Sequence, residues 1–226
     1  MTKRSLAAAA AALLRPYGIE IAVVSVVALL LIRYVDLPLA LRLSSTGVTD
    51  SGALLEAVSQ LGRGEYYLAF GIPGLLLGGW MVHRQRTGRH GWTLLHVGAL
   101  ITGTLAVGHL LVFLLKQTVA RLRPSELMED GSHGFADPFS GEPFTSLPSS
   151  HAFTAFAMAA VLSRLRPELR AVFFGMALVV AVQRMMAHHH FLSDIFISLF
   201  LALMVSEAVQ AAWARSAPLL ARRLSL

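Results

Sequence analysis

Six stretches of this chain are apolar over nearly the length a helix needs to cross a bilayer. They fall at about 17–35, 66–82, 92–115, 149–165, 170–187 and 191–213, against the roughly 20 residues a crossing requires. The fourth is short, and the gap between the fifth and sixth is tight enough to predict a sharp hairpin at one surface. Only 14% of residues are charged and 55% are hydrophobic, where a soluble domain carries about a quarter charged. The expectation is an all-α protein: one six-span transmembrane helical bundle, with residues 1–226 as a single membrane-embedded domain.

Basic residues orient the bundle. Lys3, Arg4 and Arg15 precede the first span; Arg84, Arg86 and Arg89 lie between the second and third. Arg164, Arg166 and Arg170 lie between the fourth and fifth, and Arg215, Arg222 and Arg223 follow the sixth. All of these fall on one side, which the positive-inside rule makes cytoplasmic. The opposite side is less uniform, because Arg42 and Arg63 lie there beside acidic residues of segment 116–148. Residues 1–18 read as a cytoplasmic lead-in rather than a signal peptide, since Arg15 and Pro16 follow the alanine run directly and a stronger apolar run comes next. The formal charge of +6 speaks to topology and anionic lipid headgroups, with no nucleic acid expected as partner. The absence of cysteine excludes disulfides and thiolate metal sites. Segment 37–62 has apolar residues at helical spacing (Leu54, Leu55, Val58, Leu61). It is read as an amphipathic helix along the outer interface that serves as a connector, with a part in lipid entry as the sharper alternative.

Three polar groups lie at span ends on that outer side. Lys116 ends the third span, with Arg123-Pro124 seven residues on; the two cations share a face if the helix reaches Arg123. Pro148-Ser149-Ser150-His151 opens the fourth span, and a helix N-terminus offers free N–H groups and positive dipole to an anion. Arg184-Met-Met-Ala-His-His-His190-Phe-Leu-Ser-Asp194 joins the fifth span to the sixth. His190 and Asp194 are one helical turn apart, which suits a carboxylate orienting an imidazole. Arg184 points elsewhere unless the helix breaks before His190. Three cations, neutral donors at Ser149 and the amides of 150 and 151, and two imidazoles meet the needs of phosphoryl transfer: charge neutralisation, an in-line nucleophile and an acid for the leaving oxygen.

These three linked motifs resemble the signature of the type 2 phosphatidic acid phosphatase superfamily in order, internal spacing and placement. The resemblance implies His190 as a nucleophile that becomes a phosphohistidine, Asp194 as its polarising partner, and His151 as acid and then base. Lys116, Arg123, Ser149, Ser150 and Arg184 would bind the phosphate. It implies no cofactor and no metal; the placement of the site at the membrane surface suits a membrane lipid phosphate as substrate, and the distribution of basic residues turns the site outward, with the bacterial inner (cytoplasmic) membrane as the expected location. Lipid-to-lipid phosphotransfer, undecaprenyl diphosphate cleavage and non-enzymatic lipid transport are the rival readings. Two positions depart from the motif: Ser150 stands where glycine is usual, which matters only if positive φ is required there, and Gln183 where serine is usual.

Other polar residues receive plainer readings. Arg121 lies two positions off the face of Lys116 and Arg123 and is left outside the site. His109 is read as a hydrogen-bonded packing residue, Glu20 and Glu207 as snorkelling or paired near cytoplasmic ends. His188, His189 and His190 point about 100° apart on a helix and so do not converge on an ion. The loop 125–147, with Phe135, Pro138, Phe139 and Phe144, is expected to help choose the lipid. The sequence carries no signature of an oligomeric state.

Overall fold

A computed structural model describes residues 17–45, 52–84 and 89–223. Lys3, Arg4, Arg15 and Arg86, and the side chains of Leu54, Leu55, Arg222 and Arg223, lie outside the described residues, and with them most of the expected lead-in. The regular elements of the described chain are all helices: α1 (Gly18–Tyr34), α2 (Asp36–Ser45), α3 (Gly52–Ser59), α4 (Gly64–His83), α5 (Arg89–Val119), α6 (Pro124–Glu129), α7 (Ser150–Leu165), α8 (Arg170–Met186) and α9 (Leu192–Arg223). Two 3-10 turns, Gln60–Gly62 and Pro167–Leu169, join α3 to α4 and α7 to α8.

Among the described residues, three helical stretches are long and apolar enough to cross a membrane: Arg89–Val119, Pro167–Met186 and Leu192–Pro218. The bent pair α1 and α2 would make a fourth, with 50° between its halves. Pro38 explains the bend, because its ring and missing N–H oppose the carbonyl four residues back, at Tyr34. Helices also occupy the other two expected stretches. However, α7 is only 16 residues long, and α4 contains Pro73 and several glycines.

In a bilayer, helices associate by close packing rather than by escape from water, and small residues permit that here. A Cβ at Gly98 of α5 would lie 2.2 Å from the Leu75 nitrogen of α4, and one at Gly78 would lie 2.3 Å from the Leu95 nitrogen. The two backbones therefore touch along one groove. At the centre stands α7, flanked by α5, α8 and α9, with nearly every residue from Ala152 to Val161 buried. Phe153 packs over Gly108 of α5, where a Cβ would sit 1.8 Å from its ring. His109 is hydrogen-bonded to Thr154 Oγ1 at 3.1 Å and meets Phe153 edge-on, the packing role expected of it. The three polar motifs all open at the same end of this central packing.

Candidate active site

The meeting point is the buried segment Thr145–Ser149, at which residues from all three motifs arrive. Lys116 Nζ donates to the Thr145 carbonyl. Arg123 Nη2 donates to Thr145 Oγ1 at 3.0 Å, while the rest of its guanidinium pairs with the exposed Glu142. His190 Nδ1 lies 2.7 Å from the Ser146 carbonyl. Ser149 then caps α7, its Oγ accepting from Ala152 N at 3.3 Å.

Lys116 and Arg123 reach this point by a different route from the shared helical face expected of them. Helix α5 stops at Val119, four residues short of Arg123. Ala120 turns into the left-handed region at φ 46°, and the chain pairs instead with the loop that follows α6 through Leu122 N to Gly134 O and Ala136 N to Ala120 O. Arg123 becomes the extended residue before α6.

That turn also overturns the exclusion of Arg121. Once the helix has ended, helical offsets no longer say where a side chain points. Arg121 turns inward and is buried, with Nη1 donating to Asp194 Oδ1 at 2.7 Å and to Ser193 Oγ at 2.6 Å. Its Nη2 donates to Asp36 Oδ2 at 2.7 Å. The guanidinium lies 4.1 Å from the centroid of the Phe191 ring, a cation–π contact strengthened by burial. Asp36, at the break between α1 and α2, also accepts from Ser193 N at 3.0 Å and from Ser193 Oγ. Asp36 at the end of one apolar run and the cations after another are the only sequence hint of such a pair, and spacing does not single out Arg121 among them.

His190 and Asp194 are closely related but not directly hydrogen-bonded. Nδ1 and Oδ2 stand 3.8 Å apart. Asp194 Oδ2 accepts from Ser146 Oγ at 2.6 Å and from Phe191 N at 2.9 Å. The carbonyl of Ser146 can only accept, so the proton on a neutral His190 must sit on Nδ1, and Nε2 keeps its lone pair. Burial pushes the His190 pKa down to about 4; Asp194 opposes that shift, and the Lys116 and Arg184 cations reinforce it. At neutral pH the ring is an uncharged base.

The helix breaks between Arg184 and His190, the condition under which both can face one site. Helix α8 ends at Met186, and His188 takes φ 53°. The bonds His188 N to Met185 O and His189 N to Arg184 O form a Schellman cap with histidine where glycine is usual. Arg184 is left pointing toward the site with its Nε unpartnered among the described residues. Burial, followed by the Arg184 and Arg123 cations, lowers His189 to about 4.

At the start of α7, Ser149 has φ −75° and ψ 116°, and Ser150 opens the helix without a positive φ. Serine is therefore unstrained there. His151 packs against Gly62, where a Cβ would lie 2.8 Å from its own. Gln183 donates to Glu56 of α3 at 3.3 Å, so this departure ties α3 to α8. Segment 37–62 is accordingly more than a connector. Val58 and Leu61 pack on the core, and the turn at 60–62 supports His151. Among the described residues, no three carboxylates or imidazoles gather as a metal centre would need.

A family model described as "PAP2 superfamily" matches residues 92–216. Two curated relatives share 36% and 35% identity over 104 residues, 46% of this chain. Both are named lipid A 1-phosphatase, from Rhizobium johnstonii and Rhizobium etli. The aligned region spans 42% and 44% of their lengths, less than half of each. No solved structure matches.

Proposed function

This chain belongs to the PAP2 superfamily, and from that premise we propose that it hydrolyses a phosphate from a membrane lipid through a phosphohistidine on His190. The observation that carries the reading is the Nδ1 contact with the Ser146 carbonyl, which leaves Nε2 as a nucleophile beside Lys116, Arg123 and Arg184. In the first step Nε2 bonds to phosphorus as the bond to the lipid oxygen breaks, and His151, which enters the step as the imidazolium after taking up a proton with the phosphate, gives that proton to the leaving alkoxide. The phosphoimidazole keeps its Nδ1 proton on Ser146, and the nearby Asp194 carboxylate stabilises the positive ring. In the second step His151 takes a proton from water, water oxygen bonds to phosphorus, and the N–P bond breaks to return neutral His190 and free phosphate.

The cations act on the three oxygens that gain charge in the transition state, and the amides at the start of α7 add an anion site of their own. The proposed setting is a six-span domain in the bacterial cytoplasmic membrane, with the site outward and no metal taking part. Lipid A carrying its 1-phosphate is the first substrate to try, because both relatives are named lipid A 1-phosphatase.

The test is phosphate release by purified protein in detergent, from lipid A, phosphatidate, phosphatidylglycerol phosphate and undecaprenyl diphosphate. At least one should be hydrolysed, with activity surviving EDTA. His190→Ala and His151→Ala should each lower kcat by roughly 10³-fold or more without altering the melting temperature greatly. Wild-type release from His190→Ala would end the phosphohistidine reading, and EDTA-sensitive activity would end the metal-free one.

A further inference from the structure

We infer that Asp36 is a positioning residue for His190, acting through Arg121 and Asp194 from outside the family-matched segment; this rests on the function proposed above. Residue 36 lies 56 positions before the match begins at 92. Its side chain is nonetheless buried to 2% exposure and directed at the first turn of α9.

The geometry gives Asp36 two tasks. First, it divides a guanidinium between two carboxylates. Nη2 of Arg121 goes to Asp36 and Nη1 to Asp194, each at 2.7 Å. One cation between two anions leaves a net negative charge, and His190 is the neighbour that becomes positive during the reaction. Without the Asp36 charge, Arg121 would neutralise Asp194 and weaken its hold on the phosphoimidazole. Second, Asp36 fixes Ser193 through both its amide and its hydroxyl. Ser193 precedes Asp194 directly, so the rotamer that lets Asp194 accept from Ser146 Oγ and Phe191 N is held from both sides. Ser146 in turn holds the Nδ1 proton of His190.

Stability alone is a poor reason for such a cluster, since apolar replacements of buried ion pairs are often as stable. Placement of a nucleophile is a better one, because displacement by an ångström lowers rates on the order of 10²-fold.

The test compares Asp36→Asn, Asp36→Glu and Ser193→Ala in the full-length protein. Rates are expressed per vanadate-titrated site, and the His190 tautomer is read by NMR on ¹⁵N-histidine-labelled protein, assigned with His190→Gln. Asp36→Asn should lower kcat at least tenfold with KM within about twofold, and should erode the Nδ1–H tautomer. Asp36→Glu, which restores the charge, should recover part of both. Should Asp36→Asn fail to fold, Ser193→Ala keeps all three charges and should still lower kcat about threefold. Wild-type kcat per site and an unchanged tautomer in the folded variants would overturn the inference, even if their melting temperatures fall. A wild-type protein that hydrolyses no lipid phosphate, yet loses the tautomer in Asp36→Asn, would remove the proposed function and leave the positioning role standing.

Discussion

Arg121 and Arg123 are two residues apart and do opposite things. The Arg121 side chain is 6% exposed and divided between carboxylates that are 2% and 0% exposed. That of Arg123 is 23% exposed and leans on Glu142, itself 65% exposed. The protein consumes the first charge internally and keeps the second within reach of a ligand. Sequence proximity and charge are equal in the two; what separates them is the turn at Ala120, which sends one side chain inward and the other to the rim.

Removing each guanidinium in turn is the sharpest way to break that contrast. Arg121→Met should leave two buried carboxylates unpaired and destabilise the protein by about 3–5 kcal/mol, read by thermal unfolding in detergent. Arg123→Met should change stability by less than about 1 kcal/mol but weaken vanadate inhibition roughly tenfold, as expected for a lost contact to a charged ligand. Equal melting temperatures for the two variants would erase the distinction.

A second comparison sets His151 against His190, one held by packing and one by hydrogen bonds. Gly62→Ala places a methyl group 2.8 Å from His151 Cβ and 3.0 Å from its Cα, a clash that no side-chain rotation relieves. It should lower kcat on the order of tenfold while leaving the His190 tautomer unchanged.

The pH dependence of stability sharpens the picture of His190 and His189. Both are held to about 4 in the fold, against about 6.5 in an unfolded chain. Between those values the unfolded state binds more protons, so stability rises with pH. The substrate-free protein should be fully stabilised by these rings above 6.5 and lose that contribution as pH falls toward 4. A melting temperature that is flat across this window would contradict the burial of both rings. The smallest expected effect is at His188, which holds a left-handed φ and has both ring nitrogens unpartnered among the described residues. His188→Gly should raise stability by about 1 kcal/mol, with His190 still in place.

The residues proposed to bind a phosphate were legible because their roles are local. Lys116, Arg123, Ser149, Arg184 and His190 sit in short motifs at the ends of apolar runs, and the break before His190 follows from spacing once Arg184 and His190 are assigned to one site. What supports them was hidden for two physical reasons. Ala120 carries no sequence mark of a left-handed turn, so Arg121 was placed by the offsets of a helix that has already ended at Val119. Asp36, Ser146 and Gly62 act across distances in the chain that no periodicity spans, the Asp36–Arg121 pair being 85 residues apart. The helical class and the expected stretches could be read because hydropathy is a sum over neighbours. The pairing of Gln183 with Glu56 could not, because it depends on two helices first being in place.

The 16 residues of α7 have a consequence for how this protein is made. A helix this short, enclosed on all sides and opening on Ser149 and His151, gains little from facing lipid on its own. The insertion machinery has weak grounds for releasing it sideways into the bilayer. Its neighbours α5, α8 and α9 must reach the membrane to receive it, and α8 and α9 are synthesised later. The two imidazoles proposed for catalysis should therefore come together only after α9 has been translated, and under the proposed function a ribosome-bound intermediate ending before α9 should be inert.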